Sequence, residues 1–174
     1  MKGIFIIMDK IITIALHNNT YKGSYVDKWK EELEKRGAKV LMLNFRDTDI
    51  IEKIRNCDGV MWHYYHTPDD KKIAPKILSA IELSLGIPVF PNLYSRWHFD
   101  EKISQYYLMR SIDAAQIPSW IFWEHDLAKN FIRSIKYPIV FKLSVGAGGA
   151  NVIKLENKQE AQNIIDKMFG KGIF

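Results

Sequence analysis

From residue 10 onward, short apolar runs rich in β-type residues alternate with segments of helical period, and this alternation limits the fold more than any other feature. Residues 11–16 (IITIAL) have the length of a strand, and a polar, turn-rich HNNTYKG follows. Residues 25–36 carry helical spacing, with Val26, Trp29 and Leu33 on one face and Gly37 as the stop. The pattern repeats with a strand at 38–45, a short helix at 48–56 bearing Ile50, Ile51 and Ile54, and a strand at 58–65. A helix at 68–85 ended by Gly86 and a strand at 87–90 complete it. Strand and helix in strict turn imply right-handed βαβ units and a parallel sheet. Residues 8–92 are therefore expected to form a small, doubly wound α/β domain. Ligands of such sheets collect beyond the carboxyl ends of the strands. Those ends carry His17, Asn18 and Asn19 after the first strand, and His63, Tyr64, Tyr65 and His66 after the third.

The second half has another rhythm. A helix is expected at 99–115 with Asp100 as its N-cap, a strand at 117–124 (IPSWIFWE) and a helix at 126–135. Then come a strand at 138–145, a loop of small residues at 146–150, a strand at 151–155, and a helix at 158–169 capped by Asn157 and stopped by Gly170. The two strands flanking the loop suit an antiparallel pair, so this half reads as a separate α+β unit joined near residues 91–98. The expected division is 1–92 and 93–174.

The 174 residues are 47% hydrophobic and 26% charged, a balance that supports a packed core and argues against global disorder. The net charge of +5 is spread along the chain. Lys28, Lys30, Lys35 and Arg36 are interleaved with Glu31, Glu32 and Glu34, the pattern of a solvated helix face, so no nucleic acid partner is inferred. A single cysteine, Cys57, permits no intramolecular disulfide and suits a reducing, cytoplasmic setting. The apolar GIFIIM near the N-terminus is broken by Asp9 and Lys10, and no span reaches transmembrane length, so no membrane partner is expected. The run MDKIITIALH from Met8 reads as a complete first strand, which makes residues 1–7 an expected upstream extension.

One lysine stands out. In residues 139–143 (IVFKL), Lys142 interrupts an apolar strand, and SVGAGGA follows. A buried ammonium is costly unless an anion pairs with it, and a nucleotide phosphate would do so. Gly146, Gly148 and Gly149 would let backbone N–H groups approach that phosphate closely. No Gly-Lys-Ser/Thr follows, so the loop is not a Walker phosphate loop, and a strand follows it where a dinucleotide fingerprint needs a helix. By itself the stretch fits equally a tight hairpin with a snorkelling lysine.

Taken in order, the segments resemble the ATP-grasp superfamily, in its glutathione-synthetase and ribosomal-S6-modification-like branches. The resemblance spans nearly the whole chain. A small parallel α/β domain ends in IPVFPN, FDEKISQYYLMRSIDAAQIPSW follows with an Asp–Lys type pair at a helix start, and YPIVFK precedes a glycine-rich flap. The resemblance implies a pre-ATP-grasp domain followed by the first ATP-grasp subdomain. It implies that Lys102 and Lys142 contact the nucleotide phosphates, and that Ser144, Gly146, Ala147, Gly148 and Gly149 form the flap. It also implies that the first domain contributes to the substrate site, for which the candidates are His17, Asn18, Asn19, His63, Tyr64 and His66. No third ligand lies near the two histidines His63 and His66, so no metal is assigned to them.

The implied reaction is ligation of a small-molecule or peptide carboxylate to an amine, or to a thiol, through an acyl-phosphate made from ATP with magnesium. In this family the acidic residues and asparagine that hold magnesium come from a later domain, and no segment here matches it. Glu160 and Asp166 fall on the solvated side of the last helix. The final GKGIF reads as the start of another strand, so the chain is expected to be the front part of a longer enzyme or a truncated product, inactive alone. The alternative is a non-catalytic ATP-grasp-like module that forms a homodimer through its α/β domain. A nucleotide-sugar-binding half-domain is a further alternative, disfavoured because it needs an acidic metal motif after a strand.

Overall fold

The computed structural model describes residues 10–19, 21–144, 152–170 and 172. The chain divides into two compact units, Met1–Trp97 and His98–Phe174. The expected extension at 1–7 and most of the glycine-rich loop lie outside the described residues.

In the first unit, β1 (Thr13–His17), β2 (Lys39–Leu43), β3 (Gly59–Met61) and β4 (Val89–Phe90) form one four-stranded sheet in the order β2-β1-β3-β4. Every pairing in it is parallel, with Ala15 opposite Leu41 on one side and Val60 on the other. Helices α1 (Val26–Lys35), α2 (Ile50–Ile54) and α3 (Pro68–Ser79) connect the strands. Adjacent strand residues point to opposite faces, and Ala15 and Leu16 are both wholly buried, so helices cover both faces of the central strand. The principal core joins Ala15, Val60 and Val89 of the sheet to Ile54 of α2 and to Ala74 and Leu78 of α3. Cys57 belongs to it. Burial pushes that thiol's pKa up, with the neighbouring Asp58 carboxylate adding to the effect, which leaves it a packing residue.

Several boundaries differ from those expected, for reasons visible in the packing. The first strand begins at Thr13, opposite Lys39, with the Ile12 carbonyl accepting from Lys39 N–H (2.8 Å) at its edge, and Ile11 and Ile12 are exposed. The third strand stops at Met61, where the chain gives Trp62 and Tyr64 to the core. Helix α3 starts as expected, with Thr67 capping Asp70 N–H and Pro68 in the first turn. It then widens into a π-helical segment, Ala80–Ser84, that the apolar period did not foretell. That segment carries Glu82, whose carboxylate accepts from Leu93 N–H (2.9 Å) and pairs with buried Arg96 (2.6 Å). Arg96 also donates to Ser79 Oγ (3.0 Å) and the Pro91 carbonyl (3.1 Å). Residues 91–96 are thereby tied to the end of α3, and a short helix α4 (Leu93–Arg96) forms behind its Asn92 cap.

In the second unit α5 (Lys102–Ser111) is shorter than the helix expected at 99–115. Its N-cap is Glu101, whose carboxylate accepts from Ile103 and Ser104 N–H, and not Asp100, which takes a left-handed backbone (φ 47°). The strand expected at 117–124 does not form. Its backbone has no ladder partner among the described residues, and Ile117, Trp120 and Trp123 are exposed. Helix α6 (His125–Phe131), strands β5 (Ile139–Lys142) and β6 (Val152–Leu155), and α7 (Lys158–Phe169) follow. The two strands pair antiparallel, as the sequence led one to expect, with Lys142 opposite Val152. Asn157 caps α7 by accepting from Glu160 N–H, and Glu160 reaches back to Glu156 N–H. The core here is small: Ile132, Leu155 and Ala161, with Ile139, Phe141 and Ile164 packed on them. Among the described residues no helix is long and apolar enough to cross a membrane.

Candidate functional site

Two places carry the residues singled out above, one in each unit. In the first, the carboxyl ends of β1 and β2 and the start of α3 enclose a cleft of about 380 Å³. Parallel pairing puts those ends side by side, which is why ligands gather there. His17, Asn18, Asn19, Tyr21, Asn44, Arg46 and Asp70 line the cleft.

Buried His17 accepts at Nδ1 from Phe45 N–H (3.0 Å), so in the neutral ring the proton sits on Nε2. Its ring lies against Phe45 and Trp62. Burial lowers its pKa from 6.5 to about 4, the Asp70 carboxylate opposing and Arg46 assisting the shift, so the imidazole is neutral at neutral pH. Asp70 is buried as well and has both oxygens engaged: Oδ1 accepts from Arg46 Nη2 (2.5 Å), Oδ2 from Tyr65 N–H (3.0 Å). Asn44 bonds Asp47 and Arg46 N–H, which fixes the turn after β2. Asn19 Nδ2 donates to Ser24 Oγ (3.1 Å) and to the His63 carbonyl, and Tyr21 OH donates to the same carbonyl (2.7 Å).

Of the expected substrate residues, His17, Asn18 and Asn19 line this cleft. His63 stands behind it. Its carbonyl anchors Asn19 and Tyr21, its Nδ1 accepts from Tyr25 N–H (3.1 Å), and burial lowers its pKa. Tyr64 is buried in the principal core, where burial raises its pKa, and His66 lies against the Tyr65 ring at 3.9 Å between centroids. Arg46, Asp70, Asn44 and Tyr21 escaped the sequence reading. Asn44 and Arg46 follow the second strand as His17 follows the first, so the rule about strand ends could have named them. Asp70 looked like an ordinary first-turn acid of a helix.

In the second unit, Lys102 opens α5 and its N–H donates to the Ser144 carbonyl (2.9 Å). The start of the helix and the end of the β5 strand that leads into the glycine-rich loop are thereby joined. Lys142 is exposed. It shares a hairpin face with Val140, Val152 and Lys154, whereas Ile139, Phe141 and Leu155 turn to the core. The expectation of a lysine in a buried strand is thus corrected: β5 is covered on one face only. Gly146, Ala147, Gly148 and Gly149 lie outside the described residues. Asp166 accepts from Gln162 (2.8 Å) and His125 (2.7 Å), bonds that hold its carboxylate below the usual range, and the second joins α7 to α6. Among the described residues no group of three or more His, Cys, Asp or Glu could hold a metal ion.

No protein-family model matches the chain, and no curated protein matches it by sequence. Solved structures do match. The chain superposes on a RimK domain protein ATP-grasp from Sphaerobacter thermophilus with a TM-score of 0.62 at 15% identity, over 92% of this chain and 60% of that one. A D-alanine–D-alanine ligase from Bacillus anthracis gives 0.59 at 18% identity, over 92% and 55%. A biotin carboxylase domain from Hydrogenobacter thermophilus, solved in complex with MgADP, gives 0.60 at 16% identity, over 88% and 40%. The chain spans between 40% and 60% of the length of these three. With a parallel α/β unit followed by a lysine-bearing antiparallel hairpin between helices, the chain has the ATP-grasp fold over part of that fold's length.

Proposed function

We propose that this chain supplies part of the ATP site and part of the substrate site of an ATP-dependent carboxylate–amine or carboxylate–thiol ligase. In that reaction a carboxylate oxygen attacks the γ-phosphorus of ATP and ADP leaves. The amine or thiol then attacks the acyl carbon and inorganic phosphate leaves. The observation that carries the reading is the hydrogen bond from Lys102 N–H to the Ser144 carbonyl, which joins the helix bearing the first lysine to the strand bearing the second. Lys102 and Lys142 would neutralise phosphate charge, with Ser144 beside them, and preorganised cations of this kind do most of the work in phosphoryl transfer. The described residues hold no donor set suited to magnesium, so no step of this chain is assigned to that ion.

Titration of the 174-residue chain with ATP, followed by tryptophan fluorescence, tests the reading. Weak, saturable binding is expected, reduced roughly tenfold by Lys102→Met and again by Lys142→Met, the size of one charge-assisted contact. Binding equal in both variants and the parent chain, or none at all at about 10 mM ATP, overturns it.

A further inference from the structure

The cleft of the first unit has a donor and acceptor balance that selects its occupant. Arg46 has five N–H donors and spends one, from Nη2, on Asp70; its side chain is 44% exposed, and among the described residues it has no other partner. Asn18 makes no side-chain hydrogen bond among the described residues, and it lines the same cleft. Asn19 and Asn44, by contrast, are committed to the protein. Unspent donor capacity in the cleft, among the described residues, is thus concentrated in the planar guanidinium, one amide and the His17 Nε2–H.

Charge narrows the choice. Asp70 already balances Arg46, the one basic lining residue among those described, so a dianion would meet the Asp70 carboxylate with little cationic charge to offset it. A monoanion shares the guanidinium without that penalty. His17 is neutral and adds a donor without a charge. A ligand ammonium gains little, because Asp70 is buried and both its oxygens are engaged.

Shape supplies the rest. The Tyr21 ring borders the cleft and packs on Tyr65 at 5.1 Å between centroids. Tyr65 is 43% exposed, and its N–H is held by the same Asp70 that holds Arg46. One carboxylate thus fixes the guanidinium and the backbone at Tyr65, whose ring packs on Tyr21.

We propose that the cleft binds a small monocarboxylate with a flat apolar body, its carboxylate on Arg46 and its body against Tyr21. Asp70 is a positioning residue that holds Arg46. This deepens the ligase reading and rests on it only in calling the bound acid a substrate.

Calorimetric titration of the 174-residue chain with sodium benzoate, sodium acetate, inorganic phosphate and benzylammonium chloride tests the proposal. Benzoate is expected to bind about tenfold more tightly than acetate, consistent with a flat apolar body meeting the Tyr21 ring, and the other two not measurably. Arg46→Gln should weaken benzoate roughly tenfold or more, the loss of a charge-assisted pair. Tyr21→Leu should weaken benzoate severalfold and leave acetate unchanged. Arg46→Lys, which keeps the charge and loses the fork, serves if Arg46→Gln unfolds, and it too should bind benzoate less tightly. Benzoate binding absent at about 20 mM, equal in Arg46→Gln and the parent, or weaker than phosphate binding overturns the proposal. ATP titrations on the same samples separate the two readings. ATP binding that depends on Lys102 without benzoate binding sinks this inference alone, and benzoate binding without ATP binding sinks the ligase reading alone.

Discussion

Burial sets the titration of His17, with the Asp70 carboxylate opposing and Arg46 assisting. The unfolded chain protonates this histidine near pH 6.5, the native chain only near pH 4. Between those values the unfolded state binds more protons, so native stability is lost as pH falls from 6.5 towards 4, by roughly 2–3 kcal/mol from this group. His63 shifts in the same direction and adds to the slope. His17→Asn keeps an acceptor for Phe45 N–H and removes the titration. Urea unfolding at pH 7, 5.5 and 4.5 should therefore show a shallower decline in His17→Asn than in the parent chain. Equal slopes would mean that the imidazole titrates alike in the native and unfolded states. The three ends of this histidine's story were unequally legible: its place after the first strand could be read from the sequence, its tautomer and its lowered pKa could not. Both depend on Phe45 and Trp62, which are far from it in sequence and adjacent only in the folded chain.

At the scale of elements, the joint between α3 and α4 depends on the π-helical turn that carries Glu82. Arg96 is buried, and its partners are Glu82, Ser79 Oγ and the Pro91 carbonyl. Glu82→Ala would leave a buried guanidinium without its counter-charge and Leu93 N–H without its acceptor. The expected loss is about 3 kcal/mol, measured as a shift in urea midpoint, and Ser79→Ala should cost about a third of that. A loss under about 0.5 kcal/mol for Glu82→Ala would show that the pair adds nothing net to stability. A second test concerns α5. Glu101 caps its first turn, next to Lys102, so Glu101→Ala should destabilise the second unit by about 1 kcal/mol and weaken ATP binding, whereas Asp100→Ala should leave the cap intact. The sequence pointed to Asp100 because the capping rule favours aspartate over glutamate, and only the left-handed turn at Asp100 hands the cap to Glu101.

Over the whole molecule, the two units differ in the core each has built. The first buries both faces of its central strand under helices, and the second rests on a few residues beneath a two-stranded hairpin. Amide hydrogen exchange should therefore find the slowest protons in β1, at Ala15 and Leu16, and faster exchange in β5 and β6. Exchange equally slow in both would indicate one cooperative unit. Much of this architecture was legible beforehand. Strand and helix in alternation imply a parallel sheet for any chain, because short connections and the hand of the βαβ unit leave few other ways to bury both faces. The hairpin around the glycine-rich loop and the cap of α7 were legible for the same local reasons. The missing strand at 117–124 was not, since a strand exists only where another backbone answers its hydrogen bonds, and composition is silent on that. The sequence by itself determined the order of the four parallel strands, the later hairpin and its closing helix, and the lysines at 102 and 142. Tertiary structure alone decided that Arg46 and Asp70, one after a strand and one in a helix, meet beside His17, because a salt bridge between elements 24 residues apart has no periodicity to betray it.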